Sequence, residues 1–168
     1  MSEPIVEKTL WTRADLELLP EREGIRYELI DGELFISHQP HIYYQTVCGR
    51  IFAVLDSWAQ ANQAGLTSLS PGVLFSDIDD VAPDVMWISK ARLDSLLDKA
   101  GHLTGAPELV VEVLSPGSDN ERRDRETKLK LYQTTGAHEY WIVNWRLKQV
   151  EVYRRERGRL NQIATLIG

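Results

Sequence analysis

The sequence predicts a mixed α/β fold, a mixed central β-sheet flanked by α-helices, and three observations carry that prediction. The run Leu109-Val110-Val111-Glu112-Val113-Leu114 is apolar on both faces except for one acid, as a strand covered on both sides must be. A helical stretch follows it, and then a second apolar strand, Glu139-Tyr140-Trp141-Ile142-Val143. A strand, helix, strand unit of this length is a right-handed crossover joining parallel strands. Finally, Tyr44, Val47, Cys48, Ile51, Phe52, Leu55 and Trp58 recur at spacings of three and four, the pattern of a helix that lays one face on a sheet.

The elements follow in order. Thr12 is an N-cap for a short helix over 13–19, with Asp15 in the capping-box position and Pro20 ending it. Residues 25–30 and 33–36 are strand-like and flank Asp31-Gly32, a strong hairpin signal. The amphipathic stretch over about 40–64 is the largest helix, and Gly65 stands just past its end. Strands are expected over 67–75 and 84–89, separated by the acidic turn Ser76-Asp77-Ile78-Asp79-Asp80, and a short helix over 90–99. Ser115-Pro116-Gly117 breaks the central strand, and Ser118 with Glu121 reads as a capping box for a helix to about Thr135. Strands over 149–155 and 163–167 complete the chain.

At 168 residues, with no repeat and no Gly/Ser-rich linker, the chain reads as one domain over 1–168. Its hydrophobic content of 43% and charged content of 26% are those of a soluble globular protein, and no apolar run reaches the ~20 residues of a membrane span. Met1-Ser2-Glu3-Pro4 lacks the basic start and apolar stretch of an export signal, so the cytoplasm is the expected compartment. The single cysteine, Cys48, falls among apolar helix positions and reads as a core residue. A net charge of −6 disfavours a protein that coats nucleic acid by charge alone. It does not exclude a nuclease, because a carboxylate site is negative before its cation arrives, and Arg122, Arg123, Arg125, Lys128 and Lys130 gather locally.

Glu112 is the residue that most needs explanation. An ionised carboxyl group on a buried strand calls for a metal, a cation or a shifted pKa. Asp84 opens another apolar run, and Lys128 stands on the following helix, one turn before Leu131 and Tyr132. Hydrolysis of a phosphodiester uses a divalent cation, and Mg²⁺ needs only one or two protein carboxylates. A lysine beside them can orient or deprotonate the attacking water or neutralise charge on phosphorus. Each residue also has a plain structural reading. Glu112 can pair with an arginine such as Arg26 or Arg50, Asp84 can be a turn acceptor after Pro83, and Lys128 can form a surface pair with Asp124 four residues earlier. Asp77, Asp79 and Asp80 lack the glycine and distal glutamate of a calcium loop and read as a solvated turn. His38 and His41 lack further zinc ligands, and the five tryptophans are scattered, as core residues are.

Four motifs taken together resemble a known family: Tyr27-Glu28-Leu29-Ile30-Asp31-Gly32-Glu33, Pro83-Asp84-Val85, Val111-Glu112-Val113-Leu114-Ser115-Pro116, and Lys128 with Tyr132, Gly136 and Glu139-Tyr140-Trp141-Ile142-Val143. In this order, from about residue 10 onward, they resemble the putative restriction endonuclease family, once a domain of unknown function, of the PD-(D/E)XK nuclease superfamily. The resemblance implies a restriction-endonuclease-like core. It also implies Asp84 and Glu112 as Mg²⁺ (or Mn²⁺) ligands, Glu28 as a further acidic ligand, and Lys128 as the catalytic lysine. The superfamily places its lysine two residues after the acid; here Leu114 stands there, and the role passes to Lys128. Tyr44-Gln45 occupies the place where relatives often carry His-Gln.

The expected function is therefore metal-dependent endonucleolytic cleavage of DNA by Asp84, Glu112, Lys128 and Glu28, with a homodimer supplying two sites for two strands. The alternative is a catalytically inactive nuclease-fold protein that binds nucleic acid or a protein partner.

Overall fold

The computed structural model describes residues 9–168, and the chain start read above for an export signal lies outside them. Among the described residues five α-helices, one π-helical segment and ten strands are arranged as two sheets with helices against them. The four-stranded sheet is antiparallel, in the order β2-β1-β5-β4. It comprises β1 (Arg26–Ile30), β2 (Glu33–Ser37), β4 (Val73–Ser76) and β5 (Asp79–Val81). The six-stranded sheet has the order β10-β9-β8-β7-β6-β3, from β3 (Leu66–Leu69), β6 (Val85–Ile88), β7 (Leu109–Val113), β8 (Glu139–Asn144), β9 (Gln149–Glu156) and β10 (Arg159–Ile167). Only β7 and β8 are parallel, so this sheet is mixed, as the crossover between them requires.

The sheet alternation read from 109–114 holds. Val110 and Leu114 face a core shared with the four-stranded sheet and the helix after β7, where Ile30, Val81, Tyr132 and Tyr140 lie. Leu109, Val111 and Val113 face the other way, onto Tyr44 and Cys48 of α2 (Ile42–Ala61). Glu112 therefore points between the two sheets.

Several boundaries differ from expectation, each for a local reason. The strand expected over 67–75 is two strands in different sheets, because Ser70-Pro71-Gly72 turns the chain between β3 and β4, with Ser70 at φ 46°. The acidic turn is shorter than expected. Asp79 and Asp80 enter β5, where Asp79 accepts from the Asp31 N–H and the Ser76 hydroxyl, so these acids close the turn. The first helix stops at Leu16: α1 is Arg13–Leu16, with the Thr12 N–H donating to Asp15. The next helix, α3, is Lys90–Leu96, shorter than the 90–99 expected.

The helix after β7 holds the largest surprise. It starts one residue earlier than read, with Gly117 rather than Ser118 as N-cap and no side chain capping it. It then runs as α4 (Ser118–Arg122), a wide π-helical segment (Arg123–Lys128) and α5 (Leu129–Thr135), ending on left-handed Gly136. The widened turn brings Arg123, Asp124 and Lys128 all inside the protein.

Candidate active site

Four elements converge between the two sheets. Strand β1 supplies Glu28, the residue before β6 is Asp84, β7 supplies Glu112, and the π segment supplies Lys128. Val85 pairs with Val111 across the antiparallel β6–β7 ladder, which sets Asp84, one residue earlier, beside Glu112, one residue later. All four side chains are buried, with Glu28 and Lys128 at 0% exposure.

Lys128 joins two of the acids. Its Nζ lies 2.9 Å from Glu112 Oε1 and 3.1 and 3.3 Å from the two oxygens of Glu28. The surface pairing of Lys128 with Asp124 is thereby overturned. Both residues are fully buried, and the Asp124 carboxylate instead accepts from Arg123 Nε at 3.2 Å. Glu28 is further held by the Ala82 N–H at 2.9 Å and by Arg26, whose Nε lies 3.9 Å away. Glu112 Oε1 also accepts from the Tyr132 hydroxyl at 3.0 Å; among the described residues no hydrogen bond reaches its Oε2.

Asp84 stands beside this group and is not bridged by the lysine. Its Oδ2 accepts from the Val113 N–H at 2.7 Å, which locks it to β7 one residue past Glu112. Its Oδ1 accepts from the Tyr44 hydroxyl and lies 3.5 Å from Arg26 Nη2. Arg26 thus touches both Glu28 and Asp84, while Arg50, the other arginine considered from sequence, is exposed.

The electrostatics separate the acids. Burial raises the pKa of Glu28, but Lys128, Arg26 and the Ala82 N–H outweigh it and hold the group down to about 2. Burial raises Glu112 as well. There Lys128 does not compensate, because Asp84 and Glu28 repel a further negative charge, and Glu112 sits at about 7. Burial lowers the Lys128 pKa, yet Glu112, Glu28 and Asp124 together raise it, so the ammonium stays protonated at neutral pH.

Among the described residues no three His, Cys, Asp or Glu side chains are grouped to hold an ion; Asp84 and Glu112 are two neighbouring carboxylates, and hard-oxygen donors in that number are what Mg²⁺ takes from a protein when water and substrate complete its shell. Burial first, and then the neighbouring Asp84 and Glu28 carboxylates, raise the Glu112 pKa against the pull of Lys128. Glu28 and Asp84 alike bond both oxygens within the protein, Glu28 to Lys128 and the Ala82 N–H, Asp84 to the Tyr44 hydroxyl and the Val113 N–H; what sets Glu28 apart is that Lys128 reaches both of its oxygens.

A cleft of about 640 Å³ reaches this group at Asp84, which lines it with Arg26, His41, Tyr44, Ser115 and Asn120 among others, while Glu28, Glu112 and Lys128 lie behind its wall. Sequence reading missed the hydroxyls of Tyr44 and Tyr132 as partners of the acids. Their signal was positional: Tyr44 stands on the apolar stripe of α2, and Tyr132 follows Lys128 by one turn.

No curated protein matches the chain in sequence. A crystal structure described as a putative nuclease belonging to DUF820, from Anabaena variabilis, superposes with a TM-score of 0.70 at 18% identity, covering 90% of this chain and 83% of the other. At that identity the likeness shows the fold. The model of the Uma2 family, described as putative restriction endonuclease, matches residues 13–166, a span that takes in β1, β6, β7 and the π segment alike, and the chain belongs to that family.

Proposed function

We propose that the protein is a metal-dependent endonuclease that hydrolyses phosphodiester bonds in DNA. The observation that carries this reading is the buried trio of Lys128, Glu28 and Glu112, packed behind Asp84, which lines an open cleft. Asp84 and Glu112 are the ligands for Mg²⁺ or Mn²⁺. A divalent cation there supplies polarisation of the phosphate and activation of water. Lys128, kept charged by its two carboxylates, faces the negative charge that develops on phosphorus and orients the nucleophile. Glu28 enters as the counter-ion that holds Lys128, in place of the further ligand that the family resemblance implies. Arg26 fixes Glu28 and Asp84 relative to one another, and Tyr44 and the Val113 N–H hold the Asp84 carboxylate in one orientation. Cutting both strands calls for two such sites and hence a second copy of the chain.

The test is incubation of supercoiled and linear DNA with purified protein and Mg²⁺ or Mn²⁺, beside Asp84→Asn, Glu112→Gln and Lys128→Met proteins verified as folded. Cutting by the parent alone supports the reading. Cutting that persists in all three variants removes it.

A second reading, a nuclease fold that binds nucleic acid without cutting, has one observation in its favour. Both oxygens of Asp84 and Glu28 and one oxygen of Glu112 are already bonded within the protein. Retained DNA binding without cation binding or cleavage would select it.

A further inference from the structure

Beside the cleft stands an aromatic group that phosphodiester hydrolysis does not use. The rings of His41, Tyr43 and Trp145 meet with centroids 5.4 Å apart for His41–Tyr43, 5.1 Å for His41–Trp145 and 6.0 Å for Tyr43–Trp145. The Arg146 guanidinium lies 5.1 Å from the centroid of the Trp145 ring. Tyr43 is 62% exposed, so burial in a core does not account for three rings gathered here.

Each ring is tied to the site by a neighbour in sequence. His41 lines the cleft with Asp84, and its Nδ1 accepts from the Tyr43 N–H at 3.1 Å, which fixes the imidazole at the start of α2. Tyr43 precedes Tyr44, whose hydroxyl donates to Asp84 from the buried side of the same helix. Trp145 Nε1 donates to the Leu114 carbonyl at 3.2 Å, two residues past Glu112, which holds the indole against the end of the catalytic strand.

A rigid, partly exposed set of ring faces with a guanidinium beside it offers what a nucleobase face seeks, and base–aromatic stacking tolerates every base. Bases in an intact duplex are already stacked on one another and cannot reach such a surface. A chain with net charge −6 also has little hold on a duplex by charge alone. We propose that His41, Tyr43, Trp145 and Arg146 form a stacking subsite for an unpaired nucleobase, so that the strand delivered to Asp84 and Glu112 is single-stranded or locally opened. This inference rests on the nuclease reading for its substrate class, but its own evidence is binding.

The experiment is fluorescence anisotropy in Ca²⁺ with a labelled single-stranded DNA oligonucleotide, the same strand made of abasic residues, and the corresponding duplex, with gels to confirm that strands stay intact. The intact single strand binds about tenfold more tightly than either of the others, and Tyr43→Ala lowers its affinity roughly five- to tenfold, closing the gap to the abasic strand. Tyr43→Phe keeps the preference. Tyr43 is exposed, so its variants fold, and equal affinity for intact and abasic strands, or no change in Tyr43→Ala, overturns the subsite. The two readings separate cleanly. Cleavage lost in Glu112→Gln with no preference for bases leaves the nuclease and removes the subsite; a base preference without any cleavage does the reverse.

Discussion

Lys128 is the residue on which the interior balance turns. It is fully buried, and its charge offsets two carboxylates that otherwise face each other across the gap between the sheets. Removing one partner of a buried ion group leaves the other uncompensated, at a cost of about 3–5 kcal/mol. Lys128→Met is therefore expected to destabilise the protein by that amount in urea unfolding. Adding Glu28→Gln to it recovers part of the loss, and a strictly additive double variant would mean that the ion pair is not the cause. The acids also set a pH dependence. Glu112 rises from an ordinary 4.5 to about 7 on folding, and Asp124, by burial, from 3.8 to about 6. A raised carboxyl contributes stability below its unfolded pKa that is lost as pH climbs through the folded one, because the native state binds the proton more tightly. Glu28 runs the opposite way: its contribution is present above 4.5 and is lost as pH falls toward 2. Metal-free protein should therefore be most stable near pH 5 and weaken toward pH 8, Glu112 accounting for on the order of 3 kcal/mol. Melting temperatures measured across that range should flatten in Glu112→Gln. An equally steep fall in the variant would place the titration elsewhere.

Helix α2 covers one face of the six-stranded sheet, and its two glycine environments lead to opposite expectations. Gly65, just beyond the helix, has φ +120°, and a Cβ there would stand 2.1 Å from the Ile88 carbonyl oxygen. Gly65→Ala combines backbone strain with a clash against a strand that cannot retreat, and it should cost at least about 2 kcal/mol. Gly49 lies inside α2 with no atom within 4 Å of an added Cβ, so Gly49→Ala should stabilise the helix by about 0.5–1 kcal/mol. Denaturant midpoints of the two variants should shift in opposite directions. Helix α2 itself was legible because its apolar spacing runs over about four turns, and β7 because both of its faces are apolar. The division into two sheets was not, since pairing is long-range: nothing local assigns β3 to β6 and β4 to β5. The π segment was equally hidden, because Arg123–Lys128 carries the composition of an exposed helix, five of its six residues being charged, and only the tertiary ion partners draw Lys128 inward. The aromatic group joins residues a hundred positions apart, which is why five tryptophans read in line look scattered.

The site is built from strands of both sheets and from the helix between β7 and β8, so unfolding the molecule disperses Glu28, Asp84, Glu112 and Lys128 at once. A cation that binds Asp84 and Glu112 therefore binds the native state alone and must raise global stability, by about 2.7 kcal/mol at a hundred times its Kd. For a chain of this size that corresponds to a melting temperature higher by roughly 5–10 °C. The proton competes for the same oxygens. Near pH 8 Glu112 is ionised and repelled by Asp84 and Glu28, so the cation relieves a strain that the metal-free protein carries; near pH 5.5 Glu112 is protonated and the relief is absent. Thermal unfolding with Mn²⁺ or Mg²⁺ should thus show a large shift at pH 8, a small one at pH 5.5, and none in Glu112→Gln at either pH. A shift of equal size in the variant would mean that the ion sits on other acids of this negatively charged chain, and the pairing of Asp84 with Glu112 would lose its claim to the metal.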